Sequence, residues 1–272
     1  MNYTTNSSRV PNTSDTNPVG SVDIGPAPAI SGQFPDSVSF NETNDGVTVN
    51  PPGPVTLNND GLRSKLVTCR KHVFISTFNA RTLYPSSRLT ELVLSAQQQN
   101  IDIIAVQEHR LYHPDVDIKY HKIENYQLAT ASCLKNSVNA SYGGVGLLLS
   151  PRAMESLCKV DKISSQVVIA DFEGNPKSTI ISCHSPHNNS SDEDINQFYN
   201  TLRSTLENVP KHNFLLIPGD FNARLGPDDA KFTFHSETNR NGEYLVDLME
   251  EFSLCPANTK FMRSKHKLWT FE

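Results

Sequence analysis

The chain lacks any apolar run approaching the roughly 20 residues that a membrane span needs, so no membrane segment is expected. Its N-terminus, MNYTTNSSRV, has no basic stretch followed by an apolar core, which argues against a secretory signal. Cysteine is sparse: Cys69, Cys133, Cys158, Cys183 and Cys255 are odd in number and far apart, with no zinc-like spacing and no disulfide framework. A reducing, intracellular location is expected, and no basic targeting cluster separates nucleus from cytoplasm. Nor is there an excess of base. The formal charge is −5, which argues against a protein that holds nucleic acid by bulk electrostatics. It does not exclude an enzyme that brings a phosphate to a metal, because metal-binding carboxylates make such a site acidic.

What is present is unevenly spread. Residues 1–68 are rich in Asn, Ser, Thr, Pro and Gly, with few large apolar side chains, so this segment is expected to be disordered. Residues 69–272 carry the patterned part. Short β-rich runs are read at His72–Phe78, Ile101–Val106, Gly143–Leu149, Gln166–Phe172, Ser178–Cys183 and Phe214–Ile217. The pair around the Glu-Gly-Asn-Pro turn forms a hairpin. Helical spacing recurs over Ser87–Gln99, through Ile195, Phe198, Tyr199, Leu202 and Leu206 after a Ser191 cap, and through Leu245, Leu248, Met249 and Phe252 after Asn241-Gly242. Another strand is expected to open at Trp269. The alternation points to an α/β fold with mixed sheets covered by helices.

The most telling stretch is Ile217-Pro218-Gly219-Asp220-Phe221-Asn222-Ala223-Arg224. A buried strand surfaces there into a carboxylate and a carboxamide two residues apart, on one face if the strand continues. The same residues also fit a plain Asp-Asn turn. Three other strands end in the same way, at Asn79, Glu108 and His184, and ligand sites in α/β folds gather at such ends.

These segments resemble the endonuclease/exonuclease/phosphatase superfamily, which includes deoxyribonuclease I and apurinic endonucleases. The likeness rests on Thr77-Phe78-Asn79-Ala80-Arg81-Thr82-Leu83, Val106-Gln107-Glu108-His109-Arg110, His184-Ser185-Pro186 and Gly219-Asp220-Phe221-Asn222-Ala223. The wording is most similar to the endonuclease domains of non-LTR (LINE-like) retrotransposons and to craniofacial development protein 2-like sequences. The resemblance implies a four-layer α/β sandwich and metal-dependent phosphodiester cleavage, with Mg²⁺ as cofactor and Mn²⁺ as the other candidate. It makes Glu108 the metal-binding carboxylate, with Asn79 beside it ordering metal and phosphate. It makes Asp220 the group that orients or deprotonates water, and Asn222 the amide that steadies the phosphate and that aspartate. His184 is read as a phosphate donor or general acid, or else a strand-end residue without a role; His187 falls where apurinic endonucleases have a phosphate-contacting Asn, and Arg81 is read as a substrate contact or a solvated loop charge. The implied partner is DNA, with RNA as the alternative.

Two departures are noted. His184 stands where many members have Tyr. The closing Asp-His motif does not follow Trp269, so a C-terminally incomplete sandwich, weakly active or inactive, is expected. The other readings are an RNA or small-phosphoester hydrolase, and a remnant or binding module without chemistry. Arg110, Tyr112 and His113 are read as loop residues with either a phosphate-contacting or a merely solvated role, and Cys183 as a buried small residue.

Overall fold

The computed structural model describes residues 64–68 and 71–264. The Asn/Ser/Thr-rich segment up to residue 63 and the strand expected at Trp269 lie outside the described residues.

The first sheet is built on a parallel crossover. Strand β1 (Ile75–Asn79) passes through helix α1 (Ser86–Gln98) into β2 (Ile103–Gln107), with Ile75 opposite Ile103 and Asn79 opposite Gln107. The antiparallel strands β3 (Ile118–Ile123), β4 (Tyr126–Ala131) and β7 (Val145–Leu149) complete it in the order β1-β2-β7-β4-β3. A small ribbon, β5 (Leu134–Lys135) with β6 (Ser141–Tyr142), projects between β4 and β7 in sequence. Helix α2 (Pro151–Ser156), capped by the Ser150 hydroxyl, leads to the second sheet. Its strands are β8 (Leu157–Lys162), β9 (Val167–Phe172), β10 (Ser178–His184), β11 (Phe214–Leu216) and β12 (Gly219–Asp220). The order is β8-β9-β10-β11, and β12 continues parallel pairing with β10. Helix α3 (Asp192–Glu207) precedes β11, and α4 (Arg240–Phe252) follows β12.

The period-two alternation of strands fixes the layers. In β2, Ile103 and Ala105 face the second sheet together with Leu147 and Leu149 of β7, and across the interface they meet Val168, Ala170, Phe172 and Ile180. The intervening Ile104 and Val106 face α1 and meet Leu89, Leu92, Val93 and Ala96. In the second sheet, Val167, Ile181 and Cys183 turn outward onto Ile195, Phe198, Tyr199 and Leu202 of α3 and Leu248 of α4. The result is helix, sheet, sheet, helices: the four-layer α/β sandwich that the motifs imply. The core also takes in Leu66, fully buried against the inter-sheet cluster.

Several boundaries differ from the sequence reading. Gly143 and Gly144 precede β7 rather than begin it, with φ of 68° and 87°. A Cβ on Gly144 would lie 2.6 Å from Cε1 of His109, so the buried imidazole needs a glycine there. Asn241-Gly242 does not precede the last helix but sits inside its first turn. The cap is Asn239, whose side chain accepts from Gly242 N. The hairpin β3–β4 and strand β8 had no counterpart in the sequence reading.

Candidate active site

The site forms where the inter-sheet layer changes from apolar to polar. Along β1 the inward residues run Ile75, Thr77, Asn79; along β2, Ile103, Ala105, Gln107; along β10, Ile180, Ser182, His184. Thr77 Oγ1 donates to Gln107 Oε1 at 3.1 Å, and Gln107 Nε2 donates to Ser182 Oγ at 3.4 Å. This polar rung, exposed at Thr77 and buried at Gln107 and Ser182, joins the two sheets beneath the functional groups. The sequence reading passed over Gln107 and Ser182; the signal was the inward register of their strands.

Above that rung the predicted residues converge. Asn79 Nδ2 donates to Glu108 Oε1 at 2.9 Å and to Asp220 Oδ2 at 3.0 Å, across 141 residues of sequence in the second case. Asn79 Oδ1 accepts from Arg81 N at 3.0 Å. Asp220 pairs in register with His184, so both stand on the inner face of the second sheet. His184 Nε2 lies 3.7 Å from Glu108 Oε1. That nitrogen is buried and has no hydrogen-bond partner among the described residues.

Asn222 reaches the site by another route than strand alternation. β12 stops at Asp220, and Asn222 adopts a left-handed φ of 48°. Its N–H donates to Asp220 Oδ1 at 3.0 Å, and its carboxamide donates to Ser185 O at 2.8 Å. The Asp-Asn turn and the site are therefore one feature: the turn points the carboxylate and ties its loop to the loop after His184. Non-glycine residues with positive φ cluster here, at Arg81, Glu108, Arg110 and Asn222. Such backbone costs about 1–3 kcal/mol per residue and gathers at functional sites.

The electrostatics follow from these contacts. Burial acts to raise the Glu108 pKa, but hydrogen bonds from Asn79 and Arg110, with His184 nearby, outweigh it and hold the carboxyl below its usual value. Arg110 Nη2 donates to Glu108 Oε2 at 3.1 Å. Burial lowers the His184 pKa against the pull of Asp220 and Glu108, so the imidazole is neutral near pH 7. Burial also pushes the Cys183 thiol far above the thiolate range, which removes it as a nucleophile. His187 is exposed, with its ring centroid 6.4 Å from that of His184. Arg81 is exposed at the rim and joins the site through its backbone N–H.

Among the described residues, no group of three or more His, Cys, Asp or Glu forms a ready metal cage. Mg²⁺ asks for less, one or two carboxylates with the remaining positions held by water. Glu108, kept ionised beside Asp220 and an unpartnered buried His184 nitrogen, fits that demand.

No protein-family model matches the chain. In sequence it is similar to craniofacial development protein 2 from Tragulus javanicus, with 26% identity over 215 residues, covering 76% of this chain and 36% of that protein. The same protein from Bos taurus matches at 25% over 226 residues, covering 80% and 36%. The chain thus spans little more than a third of the relatives it matches, and the motif likeness to craniofacial development protein 2-like sequences is borne out. Among solved structures, it aligns with a 3′ phosphatase from Neisseria bound to a product DNA hairpin (TM-score 0.48, 16% identity, 66% of this chain and 71% of that one). It also aligns with an AP endonuclease from Archaeoglobus fulgidus (TM-score 0.45, 17% identity, 65% and 71%).

Proposed function

We propose, from the likeness to craniofacial development protein 2 and the convergence of four strand ends, that this chain is a divalent-metal-dependent phosphodiester hydrolase of the endonuclease/exonuclease/phosphatase type. Its substrate is DNA, which it nicks, and its origin is a LINE-like retrotransposon. The observation that carries the reading is the Asn79 amide donating to Glu108 and Asp220 at once, beside the buried His184 nitrogen. Two carboxylates held apart by a donor, with a neutral imidazole facing them, suit water attack on a phosphate better than a structural ion pair.

Glu108 is the residue that would hold the cation, with Asp220 nearby. A bound Mg²⁺ would polarise a phosphoryl oxygen and stabilise charge on the leaving oxygen. Asp220 is fixed through both oxygens, by Asn79 and by the Asn222 N–H, and each oxygen keeps a further lone pair. It is placed to orient or deprotonate the attacking water. His184, in its Nε2-protonated tautomer, has a free donor for a phosphoryl oxygen. Asn222 acts on Asp220 through its backbone and fastens the loop through Ser185. The retrotransposon reading is supported by the wording of FNARTL, QEHR and GDFNARLG.

The test is conversion of supercoiled plasmid to open circle in Mg²⁺ or Mn²⁺. Glu108→Ala is expected to lose about 10³-fold in rate, since metal charge stabilisation is worth several kcal/mol. His184→Ala is expected to lose about 10²-fold or more. Nicking that survives Glu108→Ala at the parental rate overturns the assignment.

A further inference from the structure

A cavity of about 530 Å³ opens beside the site, within the roughly 300–1,000 Å³ range of ligand pockets. Its wall is assembled from the loop after β1, the loop after β2, strand β3 and the β5–β6 ribbon. Tyr84, Arg110, Tyr112, Lys119, His121 and Lys135 all contribute. No Asp or Glu lines it, although the chain as a whole is acidic. Arg110 belongs to both places: it lines the cavity and bonds Glu108 at 3.1 Å. Arg110 therefore stands between the cavity and the Glu108 site.

Its chemistry is mixed in an informative way. Among the described residues Lys119 and Lys135 have no carboxylate partner, so their charge is available to a ligand. Lys135 Nζ sits 4.3 Å from the centre of the Tyr112 ring, which orders both side chains. Tyr84 is 77% exposed and Tyr112 46% exposed, an unusual amount of ring to leave in water beside each other's wall. His121 is pushed down to about 4, by burial first and then by Lys119, so the histidine adds no charge at neutral pH. A site for a bare anion needs the cations but not the rings. Cations along a groove combined with exposed aromatic faces are how unpaired nucleotides are held.

We propose that this cavity is a nucleotide subsite, which seats one unpaired nucleotide of a DNA strand next to the bond cut at Glu108 and Asp220, its phosphate on Lys119 and Lys135 and its base against the tyrosine rings. It rests on the hydrolase reading of the neighbouring site. It also gives Arg110 a second partner, since a phosphate in the cavity competes with Glu108 for the guanidinium.

The experiment measures binding of a fluorescein-labelled single-stranded DNA hexamer by anisotropy, in EDTA, at several salt concentrations. A matching oligomer of abasic deoxyribose phosphates separates phosphate from base. Lys119→Ala and Lys135→Ala are each expected to weaken both oligomers and to reduce the slope of log affinity on log salt by about 0.7. Tyr112→Leu is expected to weaken the hexamer about 5- to 100-fold, leave the abasic oligomer nearly unchanged, and be rescued by Tyr112→Phe. All three positions are at the surface of the pocket, and circular dichroism checks that each variant folds. Variants that bind both oligomers like the parent overturn the subsite. A parent that shows the predicted binding pattern but nicks no plasmid in Mg²⁺ overturns the hydrolase reading and leaves the subsite standing.

Discussion

Asn79 is the residue on which the site turns. Its one amide nitrogen faces Glu108 and Asp220, and without that donor two carboxylates would face each other with nothing between. Asn79→Ala should therefore cost about 10²–10³-fold in nicking rate, the usual price of one lost preorganised donor. It should also raise the Glu108 pKa, because the Asn79 hydrogen bond is one of the contacts that lowers it. The acid limb of the pH–rate profile then moves to higher pH; a profile unchanged in position and height would show that Asn79 is only a spacer. His109, the next residue after Glu108, makes a different case. It is fully buried, with Nε2 donating to Ala131 O at 3.0 Å and Val145 O at 3.3 Å, and Nδ1 accepting from Leu111 N at 2.9 Å. Burial drives its pKa down to about 4, against the carbonyl contacts that raise it. The unfolded chain binds a proton near pH 6.5 that the folded one refuses until near 4. Stability is full above pH 6.5 and falls as pH drops towards 4, by on the order of 3 kcal/mol at most for this group. Urea unfolding of His109→Gln should show a flatter acid limb than the parent between pH 7 and 4.5. Equal slopes would place the acid sensitivity elsewhere.

At the level of elements, the sequence was most legible where strands are buried on both faces. IDIIAV, GGVGLLL and STIISC are apolar runs because β2, β7 and β10 lie inside their sheets, under helices on one side and the opposite sheet on the other. Of the missed strands, β4 (YQLATA) is interior but short of large apolar residues, whereas β3 and β8 are sheet edges. Their sequences, IKYHKI and LCKVDK, alternate with lysines that protect an exposed edge and blur the strand signal. The start of α4 was misplaced for another reason: its first turn serves the site as well as the helix. Asn239 Oδ1 accepts from Gly242 N and Arg224 N, while its amide donates to Asn222 O at 3.1 Å. Asn241, fully buried, donates to Pro186 O at 2.8 Å and Phe221 O at 3.3 Å, and so ties the loop after His184 to the loop after Asp220. An Asn-Gly pair with these duties reads as a turn signal in isolation. Asn241→Ala leaves Phe221 O without its donor, while Pro186 O keeps only the Ser185 hydroxyl at 3.2 Å, at a cost of about 1–3 kcal/mol, which lowers Tm by several degrees. The turnover rate at temperatures well below Tm should fall more than tenfold with a smaller change in KM. A lower Tm with an unchanged rate would mean that the first turn of α4 supports the fold without setting the geometry of the site.

For the whole molecule, the order of strands and helices was enough to anticipate the layers, but composition alone could not say where the body of the sandwich begins. Leu66 stands in a polar stretch, with no periodic apolar neighbours to announce it. In the fold it is fully buried against the inter-sheet cluster, and Val67 packs beside it. The backbone there is tied down on both sides: Leu66 N donates to Glu173 O at 2.8 Å, and Leu66 O accepts from Arg152 Nη2 at 2.8 Å. Arg152 also reaches His72 O at 2.7 Å and Asp102 Oδ2 at 3.3 Å, and Asp102 Oδ2 accepts from Phe74 N at 3.0 Å. One guanidinium thus binds the leading segment, the approach to β1 and the start of β2 at the end of the sheets away from Glu108. Because these contacts lie far from the chemistry, they should govern stability and leave the site alone. Leu66→Ala is expected to cost about 2–5 kcal/mol, as buried Leu truncations do. A chain that starts at residue 69 should unfold at lower urea than one that starts at residue 64, by at least the Leu66→Ala amount, because it loses the Arg152 acceptor as well. Both shortened chains, below their unfolding transitions, should bind the DNA hexamer as the full chain does. Equal urea midpoints for the chains starting at 64 and 69 would show that the sandwich closes without this segment.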